Sequence, residues 1–288
     1  MAQYRNGKSN GMTYKEIPPP RSLADIVKTF WIVACENATE TDQIYRLLPH
    51  SCPRLVFHYH NHFRKFPGDA NQDRVPATVL KGHTCGYQEY AVSGDFGFVG
   101  AYLYPFTPVL IFGLAASEYM DQVLEIEAFA ERPWWTLLQE EMMEATDNEE
   151  RVRILASSLE QRLARRSVAI GPFEEMIKEI IDRKGSIPIT ELARLSNLSV
   201  KQLERKFIIQ TGMMPKKFCR IVRFQSILSS QENWVPGQLT SLALDAGYYD
   251  QAHFVNDFRQ LAGFSPSFYF NGYPKLVADI LVQDRAVK

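Results

Sequence analysis

LTSLALDAGYYDQAHFVNDFRQLAGFSPSFY, residues 239–269, restates the pattern of an earlier stretch, ITELARLSNLSVKQLERKFIIQTGMMPKKF, residues 189–218. Leu192 aligns with Leu242 and Ala193 with Ala243, fifty positions apart. Leu203 aligns with Phe254, Phe207 with Phe258, Gly212 with Gly263 and Pro215 with Pro266, fifty-one apart. The extra residue falls in a turn, at Gly247-Tyr248-Tyr249 against Asn197-Leu198. Ser199 and Asp250 then stand where a helix begins, and their side-chain oxygens suit the N–H groups that a first turn leaves without partners. Each copy reads as a short helix, a tight turn and a longer helix, which is a helix-turn-helix written twice.

The spacing also assigns faces. Leu203 with Phe207, and Phe254 with Phe258, are i,i+4 pairs that belong to a buried ridge. At about 100° per residue, the opposite face of the first long helix carries Lys201 and Arg205, flanked by Gln202 and Glu204. In the second it carries Ala252 and Asn256, flanked by Gln251, His253 and Val255. These polar groups line the outside of a helix and do not converge on a pocket, which argues against catalysis. Arg, Lys, Gln, Asn and His bond base edges in a major groove, where a bidentate arginine–guanine pair is worth about 1–3 kcal/mol of discrimination.

Charge distribution agrees. The 288 residues sum to −1, but residues 1–171 hold 17 basic and 21 acidic residues, whereas residues 172–288 hold 15 and 12. Between Ser199 and Arg223 there are seven basic residues and one acid, Glu204. An anionic partner for the second half follows from that asymmetry. Hydrophobic content of 45% and charged content of 23% are those of a globular chain of about two domains. The start, MAQYRNGKSNGM, lacks the apolar segment of a secretory signal, and no apolar run reaches membrane-spanning length. Cys35, Cys52, Cys85 and Cys219 show no paired spacing and read as reduced thiols in a cytoplasmic compartment.

Before the repeat the chain reads as β-rich. Strands are expected over 26–35, 55–63, within 80–92 and over 96–104, with helices from Pro133 to Ala145 and from Asn148 to Arg166. Val152, Leu155, Leu159 and Leu163 form a stripe that suits packing on the parent domain or a dimer seam. Helices are expected near 172–184, 188–195, 199–211, 215–230, 239–246 and 250–262, and another over Lys275–Val282. The resulting fold class is α+β: a flexible arm (1–12), a β-rich, barrel-like domain with trailing helices (13–168), an all-α double helix-turn-helix domain (172–270) and a tail (271–288).

The stretches ITELARLSNLSVKQLERKF, TGMMPKKF, LALDAGYYDQAHFVNDFR and GFSPSFY resemble the DNA-binding domain of AraC/XylS transcriptional regulators. The resemblance covers about a third of the chain. It implies two recognition helices in successive major-groove segments of double-stranded DNA, joined by one long helix. It also implies Lys201, Gln202, Glu204, Arg205, Gln251, Ala252, His253 and Asn256 as base-facing residues. Ser199, Lys206, Lys216, Lys217, Arg220 and Asp250 would lie along phosphates, setting affinity and salt dependence. LLPHSCPRLVFHY, GDFGFVGAYLYPF and FGLAASEYMDQV resemble the N-terminal domain of a subgroup of these regulators. Such domains sense a ligand or dimerise, so a small-molecule effector, a homodimer and, for an activator, RNA polymerase stand as partners. Trp31, Phe57, Phe98, Tyr102 and Tyr104 are the candidate walls of an effector pocket, with the plain core as the competing reading.

One alternative keeps an enzyme in view. His58, His60 and His62 share one face of a strand, and with Glu89 they suit the metal centre of a cupin-like metalloenzyme with an accessory DNA-binding domain. The apolar residues occupy the opposite face, which turns the histidines toward solvent. No phosphate-loop, dinucleotide or nucleophile-elbow motif is present, and no cofactor is called for.

Overall fold

Val27–Cys35 and Phe96–Leu103 are long apolar runs bounded by turns, and they pair as the centre of a sheet with both faces covered. The computed structural model describes residues 6–9, 12–36, 38, 40–67, 74–165, 170–229, 237–271, 275–277 and 280–283. The chain divides into two compact units. The first comprises Met1–Gln43, Cys52–His83 and Tyr90–Ile170; the second comprises Ile44–Ser51, Thr84–Glu89 and Gly171–Lys288.

The strands of the first half are β1 (Asn6–Ser9), β2 (Met12–Ile17), β3 (Val27–Cys35), β4 (Gln43–Leu47), β5 (Arg54–His58), β6 (Arg64–Phe66), β7 (Thr78–Lys81), β8 (Gln88–Val92), β9 (Phe96–Leu103) and β10 (Val123–Glu125). Seven of them form a sheet in the order β1-β2-β3-β9-β5-β7-β10, with the pairs antiparallel. Short helices α1 (Thr107–Phe112) and α2 (Ala116–Tyr119) follow, then α3 (Arg132–Glu144) and α4 (Asn148–Ala164). Phe30, Ile32, Leu55, Phe57, Leu80, Val99, Ala101 and Leu103 form one face of the sheet and pack with Trp134, Leu138, Val152, Leu155 and Leu159. The stripe on α4 is therefore core. Asp147 caps that helix, accepting from the Glu150 N–H at 2.6 Å. On the other face the ring of Trp31 lies over Gly100, where a Cβ would stand 2.4 Å from Cζ2 of the indole.

Unit 2 contains the helices α5 (Pro172–Asp182), α6 (Ile189–Leu195), α7 (Val200–Thr211), α8 (Pro215–Ser229), α9 (Leu239–Asp245), α10 (Gln251–Ala262) and α11 (Pro266–Phe270). Strands β11 (Lys275–Val277) and β12 (Ile280–Gln283) close the chain. β12 pairs antiparallel with β4, Leu281 opposite Arg46, and the order β11-β12-β4-β8 continues the second sheet.

Three expectations are corrected, and one holds loosely. The large sheet is open, with edges at β1 and β10, so barrel-like holds only loosely. Within the supposed arm, Asn6–Ser9 pairs with β2, because the strand offers a row of backbone partners. The helix expected over Lys275–Val282 is a pair of strands, its backbone taken up by β4. Finally, the strand expected over 55–63 ends at His58, so His60 and His62 leave the pleat. His58 is buried, not solvent-facing, and stacks on His62 at 5.7 Å, while His60 is exposed. Glu89, the proposed carboxylate, is bonded to Arg46. Among the described residues no group of three or more His, Cys, Asp and Glu side chains is arranged to hold a metal.

Candidate nucleic-acid interface

The two turns of the repeat have the same backbone. In the first, Leu198 donates to the Ala193 carbonyl at 2.9 Å, and Asn197 has φ 54°. In the second, Tyr248 donates to the Ala243 carbonyl at 2.9 Å, and Gly247 has φ 80°. Asn and Gly are the residues that adopt this left-handed conformation at least cost. The extra residue of the second turn is Tyr249, which is 89% exposed and leaves the pattern of bonds intact. Each long helix then opens on a side-chain cap: Ser199 accepts from Gln202 N–H at 3.3 Å, and Asp250 accepts from His253 N–H at 2.7 Å. Each closes on a left-handed glycine, Gly212 and Gly263.

The ridges are buried as the spacing requires. Leu203, Phe207, Phe254 and Phe258 are fully buried. Phe207 packs edge-on against Phe173 and Phe218, and Phe258 against Phe224 and Phe254. Helix α8, fifteen residues and so about 22 Å long, carries Phe218 toward the first motif and Phe224 toward the second.

The opposite faces are open. Lys201, Gln202 and Arg205 are exposed on α7, as are Gln251, Ala252, His253 and Asn256 on α10; Glu204 is half-buried. Two of these side chains also work locally. Gln202 Oε1 accepts from the backbone N–H and the hydroxyl of Ser199, both at 2.9 Å, completing a capping box. Gln251 Oε1 accepts from Thr240 at 2.7 Å, tying α9 to α10. The ring of His253 meets Tyr248 edge-on at 5.2 Å.

The residues assigned to phosphates divide. Lys216 and Lys217 are exposed at the start of α8. Lys206 holds its ammonium 4.6 Å above the ring of Phe173. Arg220 is engaged inside the domain, its Nε bonded to Asp257 and its Nη2 to Gln260 at 2.7 Å. Ser199 and Asp250 serve as caps, and the Asp250 carboxylate has the wrong sign for a phosphate partner.

Sequence reading missed Asp257. It is buried beside Phe254 and Phe258 and accepts from both Arg220 and the Tyr248 hydroxyl, the latter at 2.6 Å. Burial, and then the bond to Asp257, raise the Tyr248 pKa well above its usual value. The signal was present: 254, 257, 258 and 261 share one face of a helix, and an acid on a core face has to find a cation. Burial also pushes the Cys219 thiol up to about 11.

The candidate effector walls in unit 1 do not enclose one space. Trp31, Phe98 and Tyr102 meet on one face of the sheet, with centroids 5.2 and 5.7 Å from the indole. Arg54 lies 5.3 Å over the ring of Tyr102, Lys81 4.0 Å over that of Tyr90, and His58 5.5 Å from Phe98. Phe57 points into the core on the other face, and Tyr104 stacks on Phe106.

Residues 192–272 match a helix-turn-helix domain family, the span that holds both turns, both caps and both ridges. The C-terminal part of the chain is an AraC-type DNA-binding domain. Residues 15–125 match a domain of unknown function, DUF6597. Among solved structures the chain is similar to ToxT from Vibrio cholerae, at 11% identity and a TM-score of 0.47, over 84% of this chain and 98% of that one. It is also similar to the DNA-binding domain of AdpA in complex with a target DNA, at 19% identity and a TM-score of 0.33, over 35% and 92%. The AraC-like transcriptional activator CuxR matches at 12% identity and a TM-score of 0.22, over 79% and 80%. No curated protein matches. No helix among the described residues is long and apolar enough to cross a membrane.

Proposed function

We propose that this AraC-type domain reads double-stranded DNA with α7 and α10 in neighbouring major-groove segments, about one helical turn or roughly 34 Å apart. The observation that carries this reading is the equivalence of the two exposed faces, each set opposite a fully buried pair of side chains. Lys201, Glu204 and Arg205 read the first segment; Gln251, Ala252, His253 and Asn256 read the second. Lys216 and Lys217 lie along phosphates and give the complex its salt dependence. Arg220 acts within the fold. A regulator of this kind works in the cytoplasm and needs no catalytic centre.

Unit 1 senses an effector or joins two copies. Trp31, Phe98 and Tyr102, with Arg54 and Lys81 opposite one another on adjacent strands, support an aromatic effector that carries an acid group. The test is selection of bound duplexes from a random pool, repeated with a panel of aromatic acids. Arg205→Ala relaxes the preference at one base position, whereas Lys216→Ala weakens all sequences alike and lowers the salt slope by about one. If both variants bind selected and random duplexes as the parent does, the reading fails.

A further inference from the structure

The last turn of a helix leaves carbonyl groups without partners and gathers partial negative charge. On α10 one of these, the Ala262 carbonyl, accepts from Nη1 of Arg46 at 3.1 Å. The guanidinium is itself held fast. Its Nε and Nη2 donate to one oxygen of Glu89 at 2.9 and 2.5 Å, and it lies 4.3 Å over Tyr87 and 5.2 Å over Phe264. Tyr87 closes on the left-handed Gly263 so tightly that a Cβ there would stand 2.5 Å from its ring. Two further contacts fix the same segment. Leu48 is fully buried among Phe224, Phe254 and Phe258, and Ser51 bonds Gln225 of α8 through both its N–H and its hydroxyl. Arg46, Leu48, Tyr87 and Glu89 all fall inside the stretch matched by the domain of unknown function.

We propose that Arg46, braced by Glu89 and Tyr87, is a positioning residue for the second recognition helix, so that the DUF6597 stretch sets the pose in which α10 meets DNA. Both helices end alike, with Gly212 N–H on the Ile208 carbonyl and Gly263 N–H on the Arg259 carbonyl, but among the described residues no side chain bonds the carbonyl of Thr211, the position equivalent to Ala262. The proposal rests on the reading of α10 as a base-contacting helix, and it makes the two motifs unequal. The pose of the first is set by helices next to it in sequence, whereas the second depends on two strands more than 150 residues upstream of it.

The experiment uses the full chain and its selected duplex, together with duplexes randomised in one half or the other. Arg46→Ala lowers affinity for the selected duplex by about tenfold, a change of roughly 1.4 kcal/mol. Preference flattens in the half read by α10 and is kept in the half read by α7. Arg46→Lys, which keeps charge but loses the fork and the ring stacking, recovers part of the affinity, and Tyr87→Ala gives the same one-sided loss. Circular dichroism and melting of each variant separate this from unfolding, which removes both halves together. If Arg46→Ala and Tyr87→Ala leave the second half as selective as in the parent, the proposal is overturned. Asn256→Ala distinguishes the two failures. Where it erases the second-half preference and Arg46→Ala does not, the positioning role alone falls; where Asn256→Ala changes nothing, the reading of α10 falls and this proposal with it.

Discussion

Asp257→Ala removes the carboxylate that joins α8 to α10, and its cost follows from its two partners. Tyr248, 4% exposed, loses a charged acceptor and keeps a buried hydroxyl, a loss of about 1.5–3 kcal/mol. Arg220 loses an ion-pair partner, but its side chain is 33% exposed and hydrates again, so this contact adds at most about 1 kcal/mol. The sum, about 3 kcal/mol, sits at the low end for breaking a buried pair. Tyr248→Phe deletes only the first bond and leaves the carboxylate to Arg220, so about 1–2 kcal/mol is expected. Arg220→Gln leaves the buried Asp257 carboxylate without its cation, so about 3 kcal/mol is expected. Urea unfolding followed by hydrogen exchange in α8 and α10 measures these differences where they arise, since the two units need not unfold together. A cost below 1 kcal/mol for Asp257→Ala, or a smaller cost for Arg220→Gln than for Tyr248→Phe, refutes the reasoning.

Other consequences can be checked separately. Burial, with the nearby His62, holds His58 at about 4 against an ordinary 6.5; since the neutral ring is favoured in the fold, the stability it contributes is present above pH 6.5 and lost as pH falls through 4. On the order of 3 kcal/mol is involved, and acid titration of His58→Gln is expected to show a flatter profile over that window. Leu48→Ala should destabilise unit 2 by about 2–5 kcal/mol, read as faster hydrogen exchange in α10 although the substitution lies in the first half of the sequence. Gly100→Ala drives a methyl into Trp31 and the Leu55 carbonyl. A loss of about 1–3 kcal/mol in unit 1 and a shifted tryptophan fluorescence maximum are expected; unchanged fluorescence and stability would contradict the packing described. At high pH, burial holds Tyr90 at about 12 against an ordinary 10.0, so its contribution is complete below pH 10 and declines as pH rises through 12, which alkaline unfolding of Tyr90→Phe tests.

What could be read from the sequence was what is decided within a few residues. Caps at Ser199 and Asp250, the turn at Gly247 and the ridges at Phe207 and Phe258 all have local causes, and each appears in the structure at the expected residue. What escaped was decided by partners far along the chain. Lys275–Val282 has apolar residues at spacings that suit either a helix or a strand, and pairing with β4 makes it a strand. Alternation over β5 gave the face of His58 but could not tell that this face is also covered, because burial on two sides depends on what the rest of the chain lays there. Arg220 counted as a surface cation until Asp257, thirty-seven residues on, took it up. Arg46 bonds a carbonyl 216 residues away, which no spacing rule reaches.

The two copies show where the fold constrains the chain and where it leaves it free. Positions with a backbone or core task hold the same kind of residue in both: a left-handed turn residue, an oxygen-bearing cap, a glycine stop and paired apolar side chains. Positions that face outward have diverged, Lys201 against Ala252 and Arg205 against Asn256. Lys206 and Asp257 are the instructive pair, because they occupy the same place in the repeat, beside the core ridge. Both turn inward against unit 2, one onto the ring of Phe173 and the other onto Arg220 and Tyr248. The site therefore demands a charged group with an internal partner but does not fix its sign. On the outward face α7 carries Lys201 and Arg205 near its start, and α10 carries Arg259 in its last turn. In the proposed reading, the base-facing set of the first motif includes two cations, whereas that of the second relies on hydrogen bonds whose geometry depends on how rigidly α10 is held.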